Sequence, residues 1–171
     1  GERALKRKES IEKIAMECSE LANIDYDFLF DKSRKLLAIG YSVNDARRDE
    51  SCYDLLASEA RLCSFVAIAQ GRLKLEHWFA LGRMLTNAGG ELTLLSWGGT
   101  MFEYLMPLLI MPTYENSLLN QTYRSTVVRQ IEYGKRLGVP WCISESGYNI
   151  IDINQIYQYK AFGVPGLGLK R

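Results

Sequence analysis

The apolar positions along the chain divide it into segments of differing period. Ile11, Ile14, Ala15, Cys18, Leu21 and Ala22 recur three and four residues apart, the spacing of one helix face, and predict a helix over residues 3–23. Lys6, Arg7, Lys8, Glu9, Glu12 and Lys13 interleave with them as a solvated face. Residues 26–41, YDFLFDKSRKLLAIGY, hold two short apolar runs divided by the polar turn DKSRK, which predicts a β-hairpin. Residues 52–71, CYDLLASEARLCSFVAIAQG, are rich in Ala and Leu and close on a glycine, so a helix of about 20 residues is expected. Residues 73–99 alternate β-like stretches with glycine turns, and NAGG at 87–90 predicts a second hairpin. TMFEYLMPLLIMP reads as a short buried helix bent or ended near Pro107 and Pro112, because proline withholds a donor and clashes with the preceding turn. Residues 116–137 make another long helix, with Leu118, Leu119, Tyr123, Thr126, Val127, Gln130, Ile131 and Leu137 near one face and Gly138 ending it. Beyond the loop WCISESGYN, the chain continues as a strand or short helix to a glycine-rich exit.

Composition narrows the classes this pattern can serve. At 171 residues, 47% hydrophobic and 24% charged, the chain can bury one core and lacks the signature of disorder. Lys and Arg total 21 against 20 Asp and Glu, a balance that supplies no field for nucleic acid or an anionic membrane and suits an uncharged partner. Ten Tyr, three Trp and six Phe serve packing first, and also offer faces on which sugar rings stack. Four cysteines without a CxxC pair, beside one histidine, support neither a zinc site nor a Cys/His nucleophile, and read as reduced, buried thiols. No phosphate-loop or dinucleotide motif is present, so no metal or cofactor is expected. Neither an apolar leader nor a run of eighteen apolar residues occurs, which favours a cytoplasmic location. The charged start and the open LGLKR tail suggest a piece cut from a longer protein.

Three glutamates stand out. In the phase Cys52, Leu55, Leu56, Glu59, Leu62, Cys63, Val66, Glu59 falls on the apolar stripe of its helix. A carboxylate there needs partners or a raised pKa, so it is either a structural ion pair or a general acid. Arg61 points elsewhere on the helix. Glu145 sits in a loop among Ser144, Ser146, Gly147, Trp141 and Tyr148, a setting that suits a sugar cleft or plain solvent. Glu103, near Trp97 and Tyr104, reads as a binding or buried structural acid. His77 reads as a hydrogen-bonded core or loop residue, and Gly98 and Gly99 as a tight backbone path. Asp49, Tyr53 and Asp54 are caps or sugar-hydroxyl ligands.

The strings YDLLASEARL, HWFALGR, SWGGTMFEYLMPLL and PWCISESGYN resemble the glucoamylase-like domain of bacterial cyclic β-1,2-glucan synthases, with related motifs in β-1,2-glucan hydrolases, over residues 26–171. The resemblance implies an (α/α) barrel and transglycosylation that closes linear β-1,2-glucan into a ring. It makes Glu145 the nucleophile and Glu59 the acid/base, and brings Tyr53, Asp54, Trp97, Gly98, Glu103, Tyr104, Tyr148 and Asn149 to the glucan cleft. Cys52 and Cys63 depart from the expected residues at their positions, which bears on packing. Twelve helices of about 11 residues joined by connections of about 5 need roughly 190 residues. The expected fold is therefore mainly α: a partial (α/α)6 barrel, or toroid, with small β-hairpins. Residues 1–171 would be its N-terminal half, inactive alone, part of a cytoplasmic domain of an inner-membrane parent. The remaining half of the barrel, or a second copy, would cover the exposed apolar surface. The alternative is a glucan-binding or structural module without chemistry.

Overall fold

A computed structural model of the chain describes residues 1–169. Helix α1, Glu2–Leu21, forms where its apolar stripe predicts it, yet none of its residues is buried. Ile11, Ile14 and Leu21 stand 57%, 55% and 81% exposed, so the stripe finds no partner in this chain. A hairpin follows, β1 (Phe30–Asp31) against β2 (Leu36–Leu37), as the DKSRK turn requires. Asp31 Oδ1 accepts from the backbone of Ser33 and Arg34 and so closes the turn. A second small ladder, β3 (Tyr41–Ser42) with β4 (Arg47–Arg48), lies in the polar stretch where no strand is predicted.

The helix expected from residue 52 begins six residues late, as α2, Ser58–Ala69. Asp54 is the cause: its Oδ1 accepts from Leu56 N at 2.9 Å and Ala57 N at 3.1 Å, which makes a side-chain-closed turn where helix was expected. The face of α2 that is buried is also not the predicted apolar stripe. Its buried positions are Ser58, Arg61, Ser64 and Ala67.

Helix α3, Glu76–Ala80, occupies a stretch read as β-like. Its His77 is buried, with Nδ1 2.8 Å from the Lys35 carbonyl and Nε2 2.7 Å from Ser64 Oγ, the core one of the two settings expected for it. Strands β5 (Leu85–Ala88) and β6 (Glu91–Leu94) form the hairpin predicted at NAGG, turning through Gly89 and Gly90 at φ of +69° and +94°. Helix α4, Met101–Leu105, runs into a 3-10 turn, Met106–Leu109, that contains Pro107. Helix α5, Leu118–Leu137, is capped by Ser117 Oγ and ended by Gly138 at φ +67°. The chain finishes with β7 (Glu145–Ile151) paired to β8 (Tyr157–Ala161), a hairpin the sequence reading did not foresee.

The architecture corrects the barrel expectation. Helix makes up 39% and strand 19%, in five helices and four separate two-stranded sheets among the described residues, and no ring of paired helices is formed.

The core gathers Leu55, Leu56, Leu81, Leu94, Tyr104 and Leu167. Arg61 lies within it, 0% exposed. Its guanidinium donates to the Glu103 carbonyl at 2.7 Å and the Tyr123 hydroxyl at 3.1 Å, tying α2 to α4 and α5. The cysteines correct another expectation: all four are free, but Cys18 and Cys142 are exposed and Cys52 and Cys63 half-buried.

Candidate active-site cleft

Four acidic side chains reach one cleft of about 620 Å³: Asp54, Glu59, Glu103 and Glu145. Tyr53 and Trp97 line it too, with Ile39, Phe102 and Leu169 among the apolar contributors. Trp97 is 66% exposed and Tyr53 46% exposed, so both rings offer open faces.

Glu59 is exposed in the first turn of α2, where the helix dipole favours negative charge. The expectation that it lies on a buried stripe fails, because α2 buries a different face. Ser58 Oγ donates to its Oε2 at 2.9 Å. Arg61 turns away from it, as expected, but into the core, where the helix periodicity predicts Glu59 instead.

Glu145 opens strand β7 and is half-buried, where a loop was expected. The preceding residues are clamped. Gln130, fully buried on α5, donates from Nε2 to the Ile143 carbonyl at 2.8 Å and accepts the Ile143 N–H at 2.7 Å. Ser144 Oγ accepts the N–H of Phe102 at 3.0 Å, which joins this segment to α4. Burial, then the nearby charges of Glu103 and Glu59, hold the Glu145 carboxyl above the usual carboxylate range. The phenol of Tyr159 donates to its Oε2.

Glu103 is bound by its own loop. Its carboxylate accepts from Gly98 N and Ser96 Oγ, each at 3.0 Å, and from Thr100 N at 3.2 Å, while Thr100 Oγ1 accepts from Glu103 N to complete a capping box. Glu103 is half-buried at the edge of the cleft, its carboxylate engaged by its own loop. Gly98 acts through its N–H to this carboxylate. Asp54 carries a raised pKa, chiefly from burial, partly offset by its two backbone donors.

The remaining expected residues stand elsewhere. Tyr104 is buried, its hydroxyl 2.8 Å from the carbonyls of Leu94 and Leu167, and burial pushes its pKa up to about 12. Tyr148 packs edge-on to Phe162, and Asn149 is exposed on β7; neither lines the cleft.

Sequence reasoning missed Gln130, Arg61 and Tyr159 as parts of this arrangement. Gln130 had a signal, a polar residue on the predicted inward face of α5. Tyr159 had none, since its hairpin was not read.

A second groove of about 480 Å³, lined by Leu75, Trp78, Phe79, Met111 and Tyr114 among others, has no carboxylate in its lining. Among the described residues no three His, Cys, Asp or Glu side chains come together to hold a metal. Nor is any helix there long and apolar enough to cross a membrane.

No protein-family model matches the chain. Over 149 residues it is 54% identical to the cyclic β-(1,2)-glucan synthase NdvB of Rhizobium meliloti (strain 1021), an alignment that takes in 87% of this chain and 5% of that protein. Across most of its length the chain is therefore similar to one short segment of a cyclic β-(1,2)-glucan synthase.

Proposed function

We propose that the chain contributes the catalytic carboxyl pair of a cyclic β-1,2-glucan synthase, with Glu59 and Glu145 acting on one glycosidic bond of a β-1,2-glucan. The observation that carries this reading is their shared cleft: two glutamates from separate motifs line a single hollow rimmed by the open rings of Tyr53 and Trp97. The 54% identity to a segment of a named glucan synthase supports the substrate class.

Glycosyl transfer needs one carboxyl to protonate the departing oxygen and another to meet the anomeric carbon. In this reading Glu59 supplies the proton and Glu145 the nucleophilic oxygen. Glu59 then removes the proton of an acceptor hydroxyl on the same glucan, and that oxygen displaces Glu145, closing the ring. Burial and the charges of Glu103 and Glu59 raise the Glu145 carboxyl, so the ionised form that attack on the anomeric carbon requires has to be held by a donor in the cleft. Transfer to sugar rather than water further needs a dry acceptor site, and the exposed aromatic rings suit a stacked sugar there.

The chain in this reading is a portion of a larger domain. Exposed Phe79, Leu109 and Ile110, at 71%, 84% and 69%, suit burial against the rest of a parent synthase or a second copy.

A binding module without chemistry is the second reading, favoured by the same open Tyr53 and Trp97 rings. Linear β-1,2-glucan incubated with the synthase carrying this segment separates the two. Loss of ring product in Glu145→Gln, with glucan binding kept, is the result expected of an enzyme; unchanged product with weaker binding in Trp97→Ala alone is that of a module.

A further inference from the structure

Glu145 is placed by the β7–β8 hairpin, and the hairpin returns a phenol to it. The register sets Glu145 opposite Ala161 and Gly147 opposite Tyr159. Residues two apart on a strand share a face, so Tyr159 and Glu145 are diagonal neighbours on one side of the ladder. The Tyr159 O–H donates to Glu145 Oε2. Tyr159 is 60% exposed, so its ring is not held there by core packing.

We propose that Tyr159 is the positioning residue of the Glu145 carboxylate, its phenol O–H fixing the orientation in which Glu145 faces the cleft. The inference deepens the reading of Glu145 as a reacting carboxyl and rests on it only for its consequence in turnover.

Burial and the charges of Glu103 and Glu59 disfavour an ionised Glu145, and an O–H donated to a carboxylate is the kind of contact that stabilises the ionised form. Among the described residues, Tyr159 is the side-chain donor that Glu145 has. Ser58 gives Glu59 a separate one, so the two carboxyls are held independently.

The test is Tyr159→Phe, which keeps the ring and removes the donor. Carboxyl 13C titration of the chain by NMR, with Glu145→Gln to assign the signal, reads the effect without any catalysis. The Glu145 pKa is expected to rise by about half to one unit, the size typical of a lost hydrogen bond to a carboxylate. An unchanged Glu145 titration in Tyr159→Phe would overturn the inference, whatever the protein's activity. In the parent synthase the acid limb of kcat/KM should move up by the same amount, with KM little changed. A loss of rate equal at every pH would mean a merely structural tyrosine and would also overturn it. Should Glu145→Gln turn over glucan normally while the Tyr159→Phe titration shifts, the positioning stands and the proposed function falls.

Discussion

Gly163 runs so close to Gly98 that a Cβ on Gly163 would stand 1.7 Å from the Gly98 carbonyl oxygen. The glycine-rich tail thereby packs backbone to backbone on the loop that carries Trp97. Ser96 N donates to the Leu167 carbonyl at 3.0 Å, Leu169 N to the Ser96 carbonyl at 3.0 Å and Val164 N to the Gly99 carbonyl at 3.2 Å, which fastens the two. Gly168 needs the same closeness, its Cβ position lying 2.6 Å from Gly98 backbone.

Gly163→Ala is accordingly expected to cost about 3 kcal/mol of stability, since the contact is with backbone that has nowhere to move. Gly147→Ala, where a Cβ meets nothing within 4 Å, should fall within about 0.5 kcal/mol of the parent. Urea denaturation midpoints of the two variants check both values.

Gln130→Leu removes the acceptor of the Ile143 N–H and one of the two donors to its carbonyl, Met101 N remaining at 3.3 Å. A cost of about 2 kcal/mol is expected, chiefly from the stranded N–H. Because Ile143 leads directly into β7, amide exchange should quicken at Ile143 and at Glu145 while the β5–β6 hairpin stays protected. Uniform quickening across the chain would show that Gln130 supports the whole core rather than this segment.

Asp54 gives a pH signature. Its carboxyl is held above the ordinary 3.8 mainly by burial, so the folded chain binds that proton more tightly than the unfolded chain does. Its contribution therefore favours folding below the ordinary carboxylate value and is lost as pH rises through the folded value. Asp54→Asn keeps an oxygen for the Leu56 and Ala57 N–H groups and carries no charge. The variant should be more stable than the parent at pH 7 and nearly equal to it at pH 3, as read from urea midpoints. A lower midpoint at pH 7 would mean that the carboxylate is wanted charged, as a partner for Arg61.

How much of this was legible in the sequence differs by element. The hairpins at DKSRK and NAGG and the limits of α5 follow from local chemistry: an Asp closing a turn, paired glycines at positive φ, a Ser cap and a Gly stop. Local chemistry also explains the chief error. Asp54 can cap a turn as well as begin a helix, and the turn won, shifting the start of α2, whose buried face leaves Glu59 exposed. Periodicity could not warn of this, because Leu55 and Leu56 are buried in either case. The stripe on α1 is a true helix face without a cover in this chain, so its pattern named the element and not its partner. The barrel was an inference from resemblance rather than from residues, and the small sheets overturn it. Glu59 and Glu145 were singled out by helix phase, loop setting and motif, and the cleft they share lies in the structure; the clamps on the second, Gln130 and Tyr159, depend on contacts distant in sequence.

The central claim is that Glu59 and Glu145 act as one unit on one bond. Its most direct test is turnover of linear β-1,2-glucan by the synthase carrying this segment, with Glu59→Gln, Glu145→Gln and the double variant measured side by side. Each single change should lower the rate by about 10³-fold, within the range for loss of a catalytic acid or base. The double variant should be no slower than the worse single, because a unit already broken loses little more. Wild-type turnover in either single variant, or losses that multiply in the double, would contradict the account.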